Sequence, residues 1–140
     1  MYKRQVVDSV LDFSEEVLVP VCDHFFDGVP ENQELIQRTF KEVKGATFLG
    51  WKFDHLKAVD TPIRYWNNLA RLVAFNHRSV DTDFILFLDA DEIVDTERFI
   101  QFFDSSICKA VDSMLLGQYF YFREPIYRAK TWEDLSLIHI

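Results

Sequence analysis

A chain of 140 residues, 49% hydrophobic and 16% aromatic, is long and apolar enough to bury the core of one globular domain, which excludes intrinsic disorder. Its net charge of −8 excludes a surface built to bind nucleic acid or an anionic membrane, because those partners are themselves negative. Two isolated cysteines are too few for a disulfide framework or a zinc site, and no stretch has the length of a membrane span. We therefore predict a single cytoplasmic domain.

Hydrophobic periodicity divides the first half of the chain into helices and strands. Gly45 stops one helix, and Thr61-Pro62, a capping hydroxyl before a proline, starts the next. Pro20 places its strand at an edge or a bulge, because proline cannot donate to a ladder. The predicted order is helix 6–11, strand 17–22, helix 30–44, strand 46–51 and helix 61–78.

The apolar run from Phe84 to Leu88 stops directly on a group of acids, Asp89-Ala90-Asp91-Glu92. Such a run predicts a strand buried on both faces, as in the middle of a parallel sheet. Residues two apart in extended backbone point the same way, so we expect Asp89 and Asp91 to present their carboxylates to one point beyond the strand. Two converging carboxylates predict a site for Mg²⁺ or Mn²⁺ whose remaining ligands are the phosphates of a nucleotide diphosphate.

The last third of the chain contains one further helix and one aromatic strand. Asp95-Thr96 predicts the cap of a helix that buries several phenylalanines. Residues 113–122 predict a strand, and its dense aromatic side chains serve either as core or as a surface on which a sugar stacks.

The segment from Trp66 to Asp91, in which an Arg-bearing helix leads to a hydrophobic strand ending Leu-Asp-Ala-Asp, resembles the family 2 glycosyltransferases of the GT-A fold. The resemblance implies an α/β domain with a Rossmann-like, mostly parallel sheet flanked by helices, here incomplete at both ends. It implies inverting, metal-dependent transfer of a sugar from a nucleotide-diphosphate sugar to a saccharide or other hydroxyl acceptor. It further implies a cytoplasmic protein, or one at the inner face of the membrane when full length.

The resemblance also implies roles for individual residues. The family's Asp-x-Asp motif, which holds the metal and the sugar nucleotide, corresponds to Asp89 and Asp91. Asp23 begins a loop similar to the family's Asp-rich loop, in which an Asp contacts the nucleotide base. Arg71 corresponds to an arginine that lies near the donor, and Asp134 to the catalytic base of a Glu-Asp pair.

The same residues also allow other interpretations. Asp89 can instead be the nucleophile of a haloacid-dehalogenase-like phosphatase, although Ile93 stands where that family has Thr or Val. The chain can also be a nucleotide-sugar-binding module without catalysis. Asp27-Gly28 can form a plain turn, Arg71 a solvated helix side chain, and Asp134 an acid at a helix N-terminus.

Both ends of the chain resemble in-frame translations of a transposon end used in preparing sequencing libraries. We therefore expect residues 1–5 and 135–140 to be non-native, flanking a partial GT-A domain at 6–134 from metagenomic DNA. The family's opening strand should then be missing, which leaves strand 17–22 either paired directly with strand 84–88 or separated from it by an empty slot. We expect this fragment to be inactive alone.

Overall fold

The computed structural model describes residues 2–58, 61–121 and 128–139, which form a mixed α/β structure. Helices and strands lie close to the positions that hydrophobic periodicity predicts. They are α1 (Tyr2–Asp8), β1 (Leu18–Cys22), α2 (Gln33–Glu42), β2 (Thr47–Trp51), α3 (His55–Ala58), α4 (Ile63–His77), β3 (Phe84–Phe87), α5 (Thr96–Phe103), a 3-10 helix (Cys108–Ala110), β4 (Ser113–Tyr121) and β5 (Arg128–His139).

The strands form two sheets in the part of the chain that the structure describes. β1 and β2 are parallel, with Leu18 beside Thr47. β5 lies between β3 and β4 and is antiparallel to both. A parallel pair is thus seen for the first two strands. β3, predicted to be buried on both faces within a parallel sheet, is instead half-buried and belongs to an antiparallel sheet. Antiparallel neighbours need no crossover connection, so β4 and β5 can pair across a short connection.

β1 and β3 are not direct neighbours within the described ranges, because β1 pairs with β2 and β3 pairs with β5. Phe84 lies beside His139, and Phe87 lies beside Ser136. One side of β3 is therefore paired with residues 136–139, which the sequence predicts to be non-native. This pairing is neither of the two arrangements expected for β3.

Pro20 occupies the interior of β1 without breaking its ladder with β2. Thr47 N donates to Val17 O (2.8 Å) and Asp23 N donates to Trp51 O (3.2 Å), so alternate residues of β1 turn their backbone groups toward β2. Pro20 belongs to the other set of alternating residues, so its backbone groups face away from β2. Its missing N–H therefore costs no hydrogen bond to β2, and the predicted edge position is confirmed for this pairing.

The residues after α1 pack against α5 and the second sheet. Phe99 and Cys108 are buried there, and the Phe13 ring lies 4.5 Å from the Phe99 ring. Thr96 Oγ1 donates to Ser9 O at 2.7 Å, which fixes the start of α5 to the N-terminal segment. Phe99 is therefore the one buried phenylalanine of α5, and Phe102 and Phe103 are half-buried against it.

The helix termini test the capping signals individually. Asp95 is the N-cap of α5, as predicted. Gly45 has a φ of 80°, but α2 already ends at Glu42 with an extended Val43 as its C-cap, so the prediction that Gly45 stops the helix is wrong. Thr61 does not cap α4, and this prediction is wrong: Pro62 holds the N-cap position, and Thr61 Oγ1 donates to Lys57 O instead. The Thr61 hydroxyl can reach the Lys57 carbonyl, four residues earlier in the chain. That carbonyl competes with the N-terminus of α4 for the hydroxyl.

Replacing Asp95 by alanine should destabilise the protein by about 1 kcal/mol, because Asp95 Oδ1 accepts from Arg98 N (3.3 Å) at the helix N-terminus. Urea unfolding at neutral pH measures the effect. Asp104→Ala is the matched control, since it removes the same charge at the C-cap of the same helix. An equal loss in both variants would contradict the capping role.

None of the helices in the described residues combines the length and the apolar character that crossing a bilayer requires.

Candidate functional site

Asp23 joins the loops that follow the two parallel strands. Its Oδ1 accepts a hydrogen bond from Phe53 N (2.8 Å), just beyond β2, and lies 2.8 Å from His24 Nδ1. The His24 hydrogen bond, followed by the Phe53 hydrogen bond, holds the pKa of the Asp23 carboxyl below its usual value. An ionised carboxylate therefore stands at the carboxyl end of a parallel strand pair, where α/β proteins bind ligands.

Aromatic rings hold the Asp23 loop in place. The His24 ring lies 5.7 Å from that of Phe53 and 4.7 Å from that of His55, which it meets edge-on. Trp66 of α4 is only 1% exposed, and its ring packs 4.4 Å from Phe53. Sequence reasoning missed this histidine pair; the available signal was that each histidine closely follows a parallel strand.

The Asp27-Gly28 segment forms the turn that one interpretation predicted. Gly28 has a φ of 87°, and its N–H donates to Phe25 O at 2.9 Å. Asp27 Oδ1 accepts from Val29 N at 3.0 Å, so this carboxylate serves its own loop. Asp23, in contrast to Asp27, is hydrogen-bonded to the segment that follows the second parallel strand.

Replacing Asp23 by asparagine should lower the free energy of unfolding at pH 7. It should also make that free energy depend less on pH in the acid range. A carboxyl with a depressed pKa contributes stability that is present above its unfolded pKa, about 3.8, and is lost as the pH falls through its folded value. The side chain is 38% exposed, so solvent screening limits the loss to roughly 1 kcal/mol.

Urea unfolding at pH 7 and at about pH 2.5 measures this effect, and the two proteins should converge at the lower pH. Asp27→Asn is the control, because it removes a charge from the same loop without a bond to His24 or Phe53. A stability difference that persists unchanged in acid would contradict the electrostatic role.

Arg71 and Asp89 form an ion pair between α4 and the segment beyond β3. Arg71 Nη2 lies 3.3 Å from Asp89 Oδ1, and the guanidinium carbon lies 5.9 Å from the centre of the Phe87 ring. Both side chains are open to solvent, with exposures of 47% and 67%. The structure thus brings together two residues that the sequence assigns to one site.

The backbone around Asp91 differs from the extended conformation that the sequence prediction assumes. β3 ends at Phe87, and Ala90 and Asp91 form a turn in which Glu92 N donates to Asp89 O (3.1 Å). Strand alternation therefore does not aim Asp89 and Asp91 in one direction. Both residues are exposed, and within the described ranges no cluster of three or more His, Cys, Asp or Glu side chains is arranged for a metal ion.

Asp134 lies in β5, opposite Gly117 of β4, and not at a helix N-terminus. Ser136 lies beside Phe87, the last residue of β3, and the strands are antiparallel. The recorded pairing of β3 with β5 ends at Phe87 and Ser136, so Asp134 is placed only by its pairing with β4.

Comparisons with protein-family models, with curated proteins and with solved structures found no match for this chain.

Proposed function

We propose that this chain is part of a GT-A domain of a family 2-like glycosyltransferase, which transfers a sugar, with inversion, from a nucleotide-diphosphate sugar to a hydroxyl acceptor. The observation that carries the proposal is the grouping at the end of β3. Arg71 of α4 is paired with Asp89 there, and Asp91 follows in the adjoining turn. This grouping supports a donor site.

Asp91 is the residue best suited to be the direct protein ligand of a divalent cation. One oxygen of Asp89 is paired with Arg71, whereas Asp91 is not the acid that Arg71 contacts. Carboxylate oxygens have the hard-donor chemistry that Mg²⁺ or Mn²⁺ prefers, and two protein ligands suffice when substrate phosphates complete the shell. When bound, the cation would supply neutralisation of charge on the departing diphosphate.

The protein's own groups would act around that cation. Arg71 pairs with the Asp89 carboxylate and would contribute a positive charge where the donor phosphates would lie. A carboxylate at position 134 would take the proton of the acceptor hydroxyl as general base. Because the chain carries a net charge of −8, an anionic donor needs such positive charge in its site.

The two free thiols, Cys22 and Cys108, are in keeping with a reducing compartment, and we infer a cytoplasmic location for the activity.

The test is calorimetry on the full reading frame that contains this sequence, titrated with a panel of nucleoside diphosphates and their sugars. Heat of binding should appear with Mn²⁺, disappear when the metal is chelated, and be accompanied by release of nucleoside diphosphate when an acceptor is added. Tight binding that persists without metal would overturn the proposal. Hydrolysis of a phosphomonoester without any nucleotide-sugar binding would favour the phosphatase.

A further inference from the structure

The two oxygens of the Asp23 carboxylate have different surroundings. Oδ1 accepts a hydrogen bond from Phe53 N at 2.8 Å and lies 2.8 Å from His24 Nδ1. The Cys22 thiol is directed at the same oxygen, at 3.8 Å. Within the described residues, the hydrogen bonds to this carboxylate thus all end on Oδ1. Because the side chain is partly exposed, Oδ2 is available to a bound molecule.

His24 restricts the orientation of that carboxylate. An ionised carboxylate only accepts hydrogen bonds, so His24 Nδ1 carries the proton of the 2.8 Å contact. The imidazole has little freedom to turn, because it is 19% exposed and its ring stacks on Phe53 and meets His55 edge-on. Two donors at one oxygen, the imidazole and the Phe53 backbone, therefore hold the plane of the carboxylate.

The loop after β1 brings these two neighbouring side chains together. Successive side chains of a strand point to opposite faces, so Asp23 and His24 would diverge if the strand continued. β1 ends at Cys22, and the loop then closes on itself, because Glu31 N donates to Asp23 O at 3.0 Å. His24 also forms an isolated β-bridge with Pro30. The contact between Asp23 and His24 is therefore built into a folded loop.

Position and charge restrict what Oδ2 can bind. The carboxylate lies at the carboxyl end of the parallel strand pair, where α/β proteins bind ligands. Its negative charge repels a phosphate, whereas an N–H or O–H group can donate to it. In a nucleotide-diphosphate sugar, such groups belong to the nucleoside and the sugar, and the nucleoside is the part that the family resemblance assigns to this loop.

We propose that His24 is a positioning residue of the donor site: its Nδ1–H holds Asp23 by Oδ1, which leaves Oδ2 to accept from an N–H or O–H group of the nucleoside. This inference rests on the proposed function and adds to it a residue that acts only through Asp23. The metal and the diphosphate are assigned to the acids beyond β3. Loss of His24 should therefore weaken binding of the nucleoside and spare binding of the diphosphate.

Calorimetry on the full reading frame, with Mn²⁺ present, tests this role with two probes. ADP, CDP, GDP and UDP are titrated, and the tightest-binding one is compared with inorganic pyrophosphate, which has no nucleoside. His24→Ala should weaken binding of the nucleoside diphosphate about tenfold, on the order of one hydrogen bond to a charged group. The same variant should bind pyrophosphate as the wild type does.

Two further variants separate the hydrogen bond from the presence of a histidine. His24→Asn should recover most of the affinity, because a side-chain amide N–H can replace Nδ1–H. His77→Ala is the matched control, since this exposed histidine of α4 contacts Val73 O and not Asp23, and it should bind both probes normally.

The outcomes distinguish this role from the proposed function. Binding of the nucleoside diphosphate that His24→Ala leaves unchanged would overturn the positioning role alone. An equal loss for both probes, or a His24→Asn variant as weak as His24→Ala, would also overturn it. Absence of Mn²⁺-dependent binding by the wild-type protein would overturn the proposed function and this inference with it.

Discussion

Replacing Asp91 by alanine should abolish metal-dependent binding of a nucleoside diphosphate to the full-length protein. The diphosphate meets like-charged carboxylates unless a cation stands between them, and Arg71 pairs with Asp89 and not with Asp91. Loss of a direct ligand from a site with two protein ligands leaves too few oxygens to hold the metal. In calorimetry with Mn²⁺, the wild-type protein should give a saturable heat of binding and the Asp91→Ala variant should give none.

Two companion variants separate the possible roles of the acids. Asp134→Ala should keep donor binding and remove turnover, because a general base acts on the acceptor and not on the diphosphate. Asp89→Asn should weaken donor binding by disturbing the pair with Arg71. If Asp89 is instead a phosphatase nucleophile, Asp89→Asn eliminates a covalent aspartyl phosphate and nucleotide sugars do not bind at all. Undiminished Mn²⁺-dependent binding in Asp91→Ala would sink the donor-site assignment.

Replacing Trp66 by alanine should destabilise the protein by about 3–5 kcal/mol, a large part of the stability of a domain this size. The side chain is 1% exposed, and its ring lies 4.4 Å from Phe53 and 6.2 Å from Trp51. Truncation removes the packing that joins α4 to the residues after β2. It also releases the Asp23 loop, because Phe53 donates to Asp23 Oδ1.

Thermal unfolding followed by circular dichroism measures this loss. Leu72→Ala on the same helix is the control, because Leu72 is 51% exposed and its truncation should change stability by less than about 1 kcal/mol. Similar melting temperatures for the two variants would show that Trp66 does not hold the aromatic cluster together.

The sequence by itself determined most of the secondary structure, because its signals are local. Asp95 caps α5 through a backbone N–H three residues away. The period of apolar residues located β1, β2 and β3 to within one residue at each end. Thr61 shows the limit of such signals, because two neighbouring turns offered its hydroxyl a partner and the sequence does not rank them.

Strand pairing was decided only by the tertiary structure. An apolar run such as Phe84 to Leu88 predicts burial, but burial is compatible with either parallel or antiparallel neighbours. β3 pairs with β5, whose residues 136–139 begin 49 residues beyond Phe87, and no local pattern encodes a partner at that distance. The expectation of a mostly parallel sheet rested on this apolar run as well as on the family resemblance, whereas β5 is antiparallel to both β3 and β4.

The candidate site also combines features that the sequence predicts with features that only the tertiary structure decides. Residue type and position after an apolar run selected Asp89 and Asp91, and the family resemblance selected Asp23. The turn at Asp91, the ion pair of Asp89 with Arg71 and the bond from Phe53 to Asp23 all depend on how separate elements pack. Hydrogen bonds and ion pairs act over a few ångströms, so they form only after apolar burial has brought distant parts of the chain together.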